Sequence, residues 1–194
     1  AYLGRPADPD GLAYWANQVD AEDGSLSGVI GGFSASAESD TLYGQLTTDQ
    51  VITAIYVNLF NRQPDAAGLA YWKQQLDGGA VPQAQAAQAI LLGALTSDAT
   101  AVTNKLTIAK AFTAQLDTSA ELSGYSGSAS LDYTRSFLKT VGADAASLQA
   151  ATNSLSSAVA IATGTQTTPT TPSGQTFTLT AGVDTINGTA SADT

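Results

Sequence analysis

The stretch RPADPDGLAYW, which begins at Arg5, recurs in altered form as RQPDAAGLAYW from Arg62 onward. Each copy carries side chains that suit the binding of a sugar. The arginine can form bidentate hydrogen bonds with a phosphate or carboxylate, and the Tyr-Trp pair offers flat apolar rings on which a pyranose can stack. Arg5, Tyr14, Arg62 and Tyr71 are therefore our candidate glycan-binding residues.

A structural role competes for the aromatic residues. In each copy the tryptophan shares one helix face with two aliphatic residues, namely Leu12, Trp15 and Val19 in the first and Leu69, Trp72 and Leu76 in the second. This spacing predicts that both tryptophans lie in the core. The neighbouring tyrosines, about 100° further around the helix, are then expected at its rim.

The arginines also have a structural alternative. Arg5 precedes Asp8 by three residues, and Arg62 precedes Asp65 by the same interval. Each aspartate is expected to cap a helix. We predict that each arginine closes its turn, either by pairing with that aspartate or by stacking on an aromatic ring. Recognition of a sugar or lipid phosphate remains the alternative.

Composition excludes several kinds of chemistry. The 194 residues include no cysteine, histidine or methionine, so disulfides, Cys or His zinc sites and a histidine general base are all impossible. Only 7 basic residues face 17 acidic ones, which argues against nucleic acid and anionic lipid as partners. Glu38 and Glu121 could in principle form a glycosidase pair, but nothing distinguishes them from surface acids. We predict no enzymatic activity and no direct insertion into a membrane.

Helical periodicity dominates the first 162 residues and predicts an all-α region. Asp8 is the expected cap of the first helix with Pro9 at its first position, and Thr48 is the expected cap of a later one. ELSGYSGSAS, residues 121–130, is predicted to be an irregular loop, with Ser128 or Ser130 capping the next helix. The other expected helices follow Asp65, span about 26–38, 82–95 and 97–116, run through Leu131–Val141, and end before Gly164.

These helices suggest a division of the chain. Residues 1–95 would form two related helix-turn-helix repeats, the first truncated at its N-terminus, and residues 96–162 would pack further helices on them. A Thr/Pro-rich linker is expected at 163–175, followed at 176–194 by the first strands of a β domain resembling a calcium β-roll. Oxygen-bearing Asp184, Asn187 and Asp193 lie among glycines there, so we predict that they contribute to a calcium site.

The repeated motif, written Y(L/V)xxLxRxPDxxGLxYWxxQLxxG, resembles the bacterial domain of unknown function 4214, a family that is itself similar to phycobilisome linker repeats. The second copy fits from residue 55 to residue 79, and the first from residue 2 to residue 19. FSASAES, residues 33–39, resembles the terminal F-x-x-S-x-E signature of the family. The second copy has LLGALTSDA in that region and is expected to lack the signature.

The C-terminal stretch LTAGVDTINGTASADT resembles the start of the β region in RTX-type and S-layer proteins, and the order of segments resembles the Caulobacter-type S-layer proteins. This resemblance implies type I secretion without a cleaved signal and a location on the outer surface of a Gram-negative bacterium. It also implies anchoring to lipopolysaccharide, calcium as the cofactor, and self-assembly. The alternative is a protein-interaction module at the N-terminus of an RTX-type adhesin or enzyme that forms no lattice.

Overall fold

A computed structural model of the chain describes residues 2–166, and every regular element within that range is a helix. The described helices are α1 (Pro9–Ala21), α2 (Ser27–Ser34), α3 (Ala37–Tyr43), α4 (Thr48–Phe60), α5 (Ala66–Asp77), α6 (Gln83–Leu92), α7 (Thr96–Ala114), α8 (Ser119–Gly124), α9 (Gly127–Lys139) and α10 (Ala145–Thr163). The predicted all-α class is thus confirmed for this range. The predicted β strands at 176–194 lie outside the described residues.

Local capping explains where the main helices begin. Asp8 caps α1 with Pro9 at the first helical position, as predicted, and Asp65 caps α5. The prediction of Thr48 as the cap of α4 is wrong by one residue. Thr47 is the cap, because the Gln50 side chain accepts a hydrogen bond from the Thr47 backbone N–H at 2.9 Å while the Thr47 hydroxyl accepts one from the Gln50 N–H.

The single helix predicted at 26–38 is in fact two helices. Ser36 separates α2 from α3 with an extended backbone, and its hydroxyl accepts a hydrogen bond from the Ser39 N–H at 3.1 Å. A serine that caps a helix in this way competes with continuation of the preceding one. The break matters for the site because it turns Glu38, in the first turn of α3, toward the turn before α1.

The loop predicted at 121–130 is mostly helical. A capping box between Thr118 and Glu121 supports α8, and α9 already begins at Gly127, where φ is +77°. Ser128 and Ser130 therefore lie inside α9 rather than at its cap, which is Ser126. The many small residues of this stretch allow two helices to meet within a two-residue connection.

The apolar side chains form two buried clusters. One joins α7, α9 and α10 around Phe112 and Val141, and the other joins α3, α4 and α6 around Ile55 and Ala87. The predicted division at residues 95 and 96 remains a prediction. None of the described helices is long and apolar enough to cross a lipid bilayer.

Candidate functional site

The turns before α1 and α5 are built in the same way. The Asp8 carboxylate accepts a hydrogen bond from the Gly11 N–H at 2.6 Å, and the Asp65 carboxylate accepts one from the Gly68 N–H, also at 2.6 Å. Each aspartate is therefore used as a helix cap, which satisfies a backbone donor that the helix itself leaves free.

The predicted pairing of Arg5 with Asp8 is wrong. Arg5 binds Glu38 instead, through Nε to Oε1 at 2.7 Å and Nη2 to Oε2 at 2.8 Å, while Nη1 donates to the Pro6 carbonyl at 3.0 Å. This bidentate pair ties the turn before α1 to the start of α3. Asp8 instead bonds to the backbone N–H of Gly11 in its own helix.

Arg62 repeats this arrangement with Asp98 rather than with Asp65. Its Nε and Nη2 donate to the two carboxylate oxygens at 2.9 and 2.6 Å, and Nη1 donates to the Gln63 carbonyl at 3.0 Å. The predicted aromatic alternative is also present, since the guanidinium carbon lies 5.3 Å from the ring centre of Tyr56. Asp98 therefore takes the place of Glu38 in the second copy, although the F-x-x-S-x-E signature is absent there.

A second arginine completes the partly buried charge cluster around Glu38. Arg135 of α9 donates to Glu38 Oε1 through Nη2, and its Nε donates to the Leu3 carbonyl at 3.0 Å. Burial alone would raise the pKa of Glu38, but the hydrogen bonds and charges of Arg5 and Arg135 outweigh it and lower that pKa. Glu38 thus stays ionised, and our description of it as an ordinary surface acid is wrong.

A further polar centre joins α7 to the ends of two other helices. The Lys105 ammonium, which is buried, donates to the Leu138 carbonyl at 2.5 Å and to Asn61 Oδ1 at 2.7 Å. Leu138 lies in the last turn of α9 and Asn61 caps the end of α4, so the cation sits at the negative ends of two helix dipoles. Burial lowers the pKa of Lys105 to about 8, and the nearby charge of Lys139 adds to this effect.

Both candidate tyrosines are exposed. Tyr14 is 56% and Tyr71 55% accessible, and each ring stands nearly perpendicular to its neighbouring tryptophan at a centroid distance of 5.0 Å. The two Tyr-Trp pairs therefore share one geometry, with interplanar angles of 78° and 80°. Edge-to-face packing of this kind restrains each tyrosine ring.

Placement of the tryptophans in the core is only partly right. Trp15 and Trp72 are half-buried, and α1 and α5 contain no fully buried residue. Trp15 packs edge-on against Phe33 at 5.1 Å and lies over Gly32, where a Cβ would overlap the indole. Leu12, expected in the core on the same face, is 52% exposed, because neither α2 nor α7 covers that side of α1.

The four glycan candidates do not form one site in the described part of the chain. The Arg5 and Arg62 guanidiniums bind acidic side chains, whereas Tyr14 and Tyr71 face solvent on α1 and α5. The calcium candidates Asp184, Asn187 and Asp193 lie outside the described residues. Within residues 2–166 no three acidic side chains are grouped as a metal site.

Sequence reasoning missed Asp98, Arg135 and Lys105. One signal for Asp98 was present, since the acid that pairs with Arg62 lies 36 residues further on, compared with 33 for Arg5 and Glu38. Allowing a three-residue insertion in the second copy would have found it. Nothing in the sequence marks Arg135 or Lys105, because each binds groups that lie in segments distant along the chain.

The fold and site define a helical domain in which a motif of arginine, capping aspartate and Tyr-Trp pair occurs twice. Residues 1–43 and 32–98 match the domain of unknown function DUF4214. The matched residues make up half of the chain, so the chain belongs to this family, and the resemblance of the repeated motif to it is confirmed. No curated protein and no solved structure matches the chain.

Proposed function

We propose that this chain is the anchoring and assembly part of a secreted, S-layer-like protein, which binds lipopolysaccharide glycan at the outer surface of a Gram-negative bacterium. The observation that carries the proposal is the duplicated, exposed Tyr-Trp pair on α1 and α5. Each pair exposes a tyrosine ring to solvent, and the tryptophan ring packs edge-to-face against it. Such restrained rings suit stacking against sugar at little cost in conformational entropy.

Duplication of the pair supports a polymeric ligand. A polysaccharide offers the same sugar many times along its length, so two weak contacts on one protein act together through a raised effective concentration. We accordingly propose that residues 1–95 are two copies of one helix-turn-helix repeat. The matching caps at Asp8 and Asp65 and the matching ion pairs of Arg5 and Arg62 support this.

The arginines have a structural role in this proposal. Both side chains are held by carboxylates and by the carbonyl of the following residue, so contact with a glycan phosphate would require breaking a bidentate pair. Tyr14 and Tyr71 are therefore the preferred glycan contacts. The function is non-enzymatic, and the ionised Glu38, clamped between two arginines, supports that view.

Calcium and self-assembly belong to the same proposal. The formal charge of −10 opposes both contact between copies and approach to anionic lipopolysaccharide, and a divalent cation relieves both. Asp184, Asn187 and Asp193 are the proposed calcium ligands. Secretion by a type I system, without a cleaved signal, is the corresponding route to the surface.

The second candidate function is a protein-interaction module of a secreted RTX-type adhesin or enzyme that forms no lattice. Leu92 and Leu95, at the connection between α6 and α7, favour it because they are 76% and 74% exposed. Two such leucines in one short connection are typical of a protein contact rather than of a glycan contact.

Binding to lipopolysaccharide vesicles tests the proposal. The full chain is sedimented with vesicles of smooth lipopolysaccharide, which carries the O-polysaccharide, and of rough lipopolysaccharide, which lacks it, with and without calcium. We expect binding to the smooth form, and ordered assemblies by electron microscopy once calcium is added. Equal, negligible sedimentation with both forms, together with a monomer in calcium, would overturn it.

A further inference from the structure

Two carboxamide side chains accompany the exposed tyrosine in each copy of the motif. They follow it by three and four residues in both helices, as Asn17 and Gln18 in α1 and as Gln74 and Gln75 in α5. Residues with these spacings are neighbours on a helix surface, and helical side chains lean toward the N-terminus of their helix. The amides therefore lean toward the tyrosine ring, and each copy has one ring and two amides on the same side of its helix.

The polar groups of these amides have no partner in the described part of the chain. Within residues 2–166, no hydrogen bond engages the side chain of any of the four. Asn17 and Gln74 are exposed, and Gln18 and Gln75 are half-buried, so the two copies also agree in exposure. The donors and acceptors beside each tyrosine are therefore available to a ligand.

The two copies share this surface although other exposed positions of the same helices differ. Ala16 of α1 corresponds to Lys73 of α5, and Asp10 corresponds to Ala67. All four of these residues are exposed, so charge on the helix surface is not kept at these positions. The surface that recurs around the tyrosine consists of an aromatic ring and carboxamides, which are all uncharged.

Charge near the tyrosines indicates the class of sugar. An anionic sugar needs a cation as its partner, but α1 contains no basic residue. In α5 the Lys73 ammonium is shared between Asp49 and Asp77, at 3.3 and 2.7 Å. A carboxamide offers both a donor NH₂ group and an acceptor oxygen, which matches hydroxyl groups that donate and accept. This combination of groups suits an uncharged sugar.

We propose that each tyrosine and its two amides form a subsite for one uncharged hexopyranose unit of the polysaccharide. The ring stacks on the apolar face of the sugar, and the amides exchange hydrogen bonds with its hydroxyl groups. A carboxylate or phosphate on the bound unit would meet no free cation there and would be repelled by the formal charge of −10. The inference rests on the proposed function and adds to it the class of sugar and the residues that select it.

Titration calorimetry of the full chain with O-polysaccharide tests the subsites. The polysaccharide is released by mild acid from smooth lipopolysaccharide of the bacterium that produces the protein, which removes the lipid. The test variant keeps both tyrosines and replaces all four amides, as Asn17→Ala, Gln18→Ala, Gln74→Ala and Gln75→Ala. It should bind at least tenfold more weakly than the wild type, because each lost hydrogen bond weakens the complex. Alanine has the highest helix propensity, so the helices should be retained.

Two controls make the result specific. Gln149→Ala removes another exposed amide from α10, a helix that carries neither Tyr-Trp pair, and should leave the affinity unchanged. Reduction of the carboxyl groups of the polysaccharide converts uronic acid units into neutral hexoses and should not weaken binding. Variants that lose the amides of only one copy should each bind about threefold more weakly, and their melting curves verify the fold.

The possible failures can be told apart. Wild-type affinity of the fourfold amide variant would overturn the subsites. The proposed function would still stand if the combined replacement of Tyr14 and Tyr71 by alanine abolished binding. Binding by the wild type that is lost when the polysaccharide is carboxyl-reduced would overturn the uncharged class of ligand. Absence of wild-type binding to the polysaccharide in either form would overturn the proposed function and this inference together.

Discussion

Arg5 binds Glu38 through two parallel hydrogen bonds, of 2.7 and 2.8 Å, between residues that lie 33 positions apart in the chain. The pair fixes the turn before α1 against the start of α3, and Arg135 brings α9 to the same carboxylate. Arg62 and Asp98 form the same bidentate contact in the second copy. The repeated arginine therefore links two segments of the chain through an ion pair. The exposed tyrosine is then the residue of the motif that is available to a ligand.

The ion pairs of Arg5 and Arg62 should contribute different amounts to the free energy of unfolding. The Arg5 and Glu38 side chains are largely buried, whereas the Arg62 side chain is 45% exposed. Arg5→Ala removes one of the two arginines that bind the partly buried Glu38 carboxylate and should lower the free energy of unfolding by about 2 kcal/mol. Arg62→Ala should cost about 1 kcal/mol. Urea denaturation of both variants measures the difference. Unchanged stability of Arg62→Ala combined with lost lipopolysaccharide binding would instead assign Arg62 to recognition.

Acid should weaken the ion pairs that Glu38 forms with Arg5 and Arg135. The pKa of Glu38 in the folded chain is lowered from its ordinary value of 4.5, so the unfolded chain takes up this proton first as the pH falls. The stabilisation by Glu38 is thus fully present above pH 4.5 and is lost progressively below it. Glu38→Gln should be less stable than the wild type at pH 7, and the difference should shrink in acid. A stability difference between Glu38→Gln and the wild type that is constant from pH 7 to pH 3 would contradict a stabilising role of these ion pairs.

Lys105 should also make the stability rise with pH, but in alkali rather than in acid. Its pKa falls from 10.5 to about 8 on folding, so between these values the unfolded chain holds a proton that the folded chain has released. Stability contributed by this site therefore rises with pH from about 8 toward 10.5. Comparison of the wild type with Lys105→Met by thermal melting between pH 7.5 and 9.5 isolates the effect. The rise should be absent in the variant, and an equal slope in both proteins would exclude Lys105 as its source.

Close packing of α8 on α10 gives a prediction about glycine. A Cβ at Gly124 would overlap the carbonyl oxygen of Thr163, so Gly124→Ala must push the two helices apart and should cost about 3 kcal/mol. Gly31→Ala is the matched control, since its Cβ would meet open space within α2. That change should stabilise the protein by about 0.5 to 1 kcal/mol through helix propensity. Similar effects of the two substitutions on the melting temperature would contradict the close contact between Gly124 of α8 and Thr163 of α10.

Much of this fold could be predicted because it is encoded locally. Asp8 and Pro9 define the start of α1, and Gly164 defines the end of α10, through side chains and backbone angles that act within one turn. The break at Ser36 was missed because a serine within an apolar helical pattern gives the same periodicity whether or not it caps. Short helices in a Gly/Ser-rich stretch, such as α8, are similarly hidden.

The partners of the charged residues could not be predicted in the same way. Arg5 was expected to bind Asp8 because that acid is closest in sequence, but Asp8 is already engaged by the backbone N–H of Gly11. Glu38 reaches Arg5 only after α1, α2 and the break at Ser36 have folded the chain back. Tertiary contacts of this kind depend on the path of the chain, which the spacing of residues does not contain.

The most direct test of the proposed function is the affinity of the double variant Tyr14→Ala and Tyr71→Ala for the polysaccharide of smooth lipopolysaccharide, measured by titration calorimetry. Both rings are more than half exposed, so the variant should fold with unchanged stability. Our account predicts that binding weakens at least tenfold in the double variant, and by about three- to tenfold in each single variant. Leu122→Ala should bind as the wild type does. Wild-type affinity of the double variant would contradict the account.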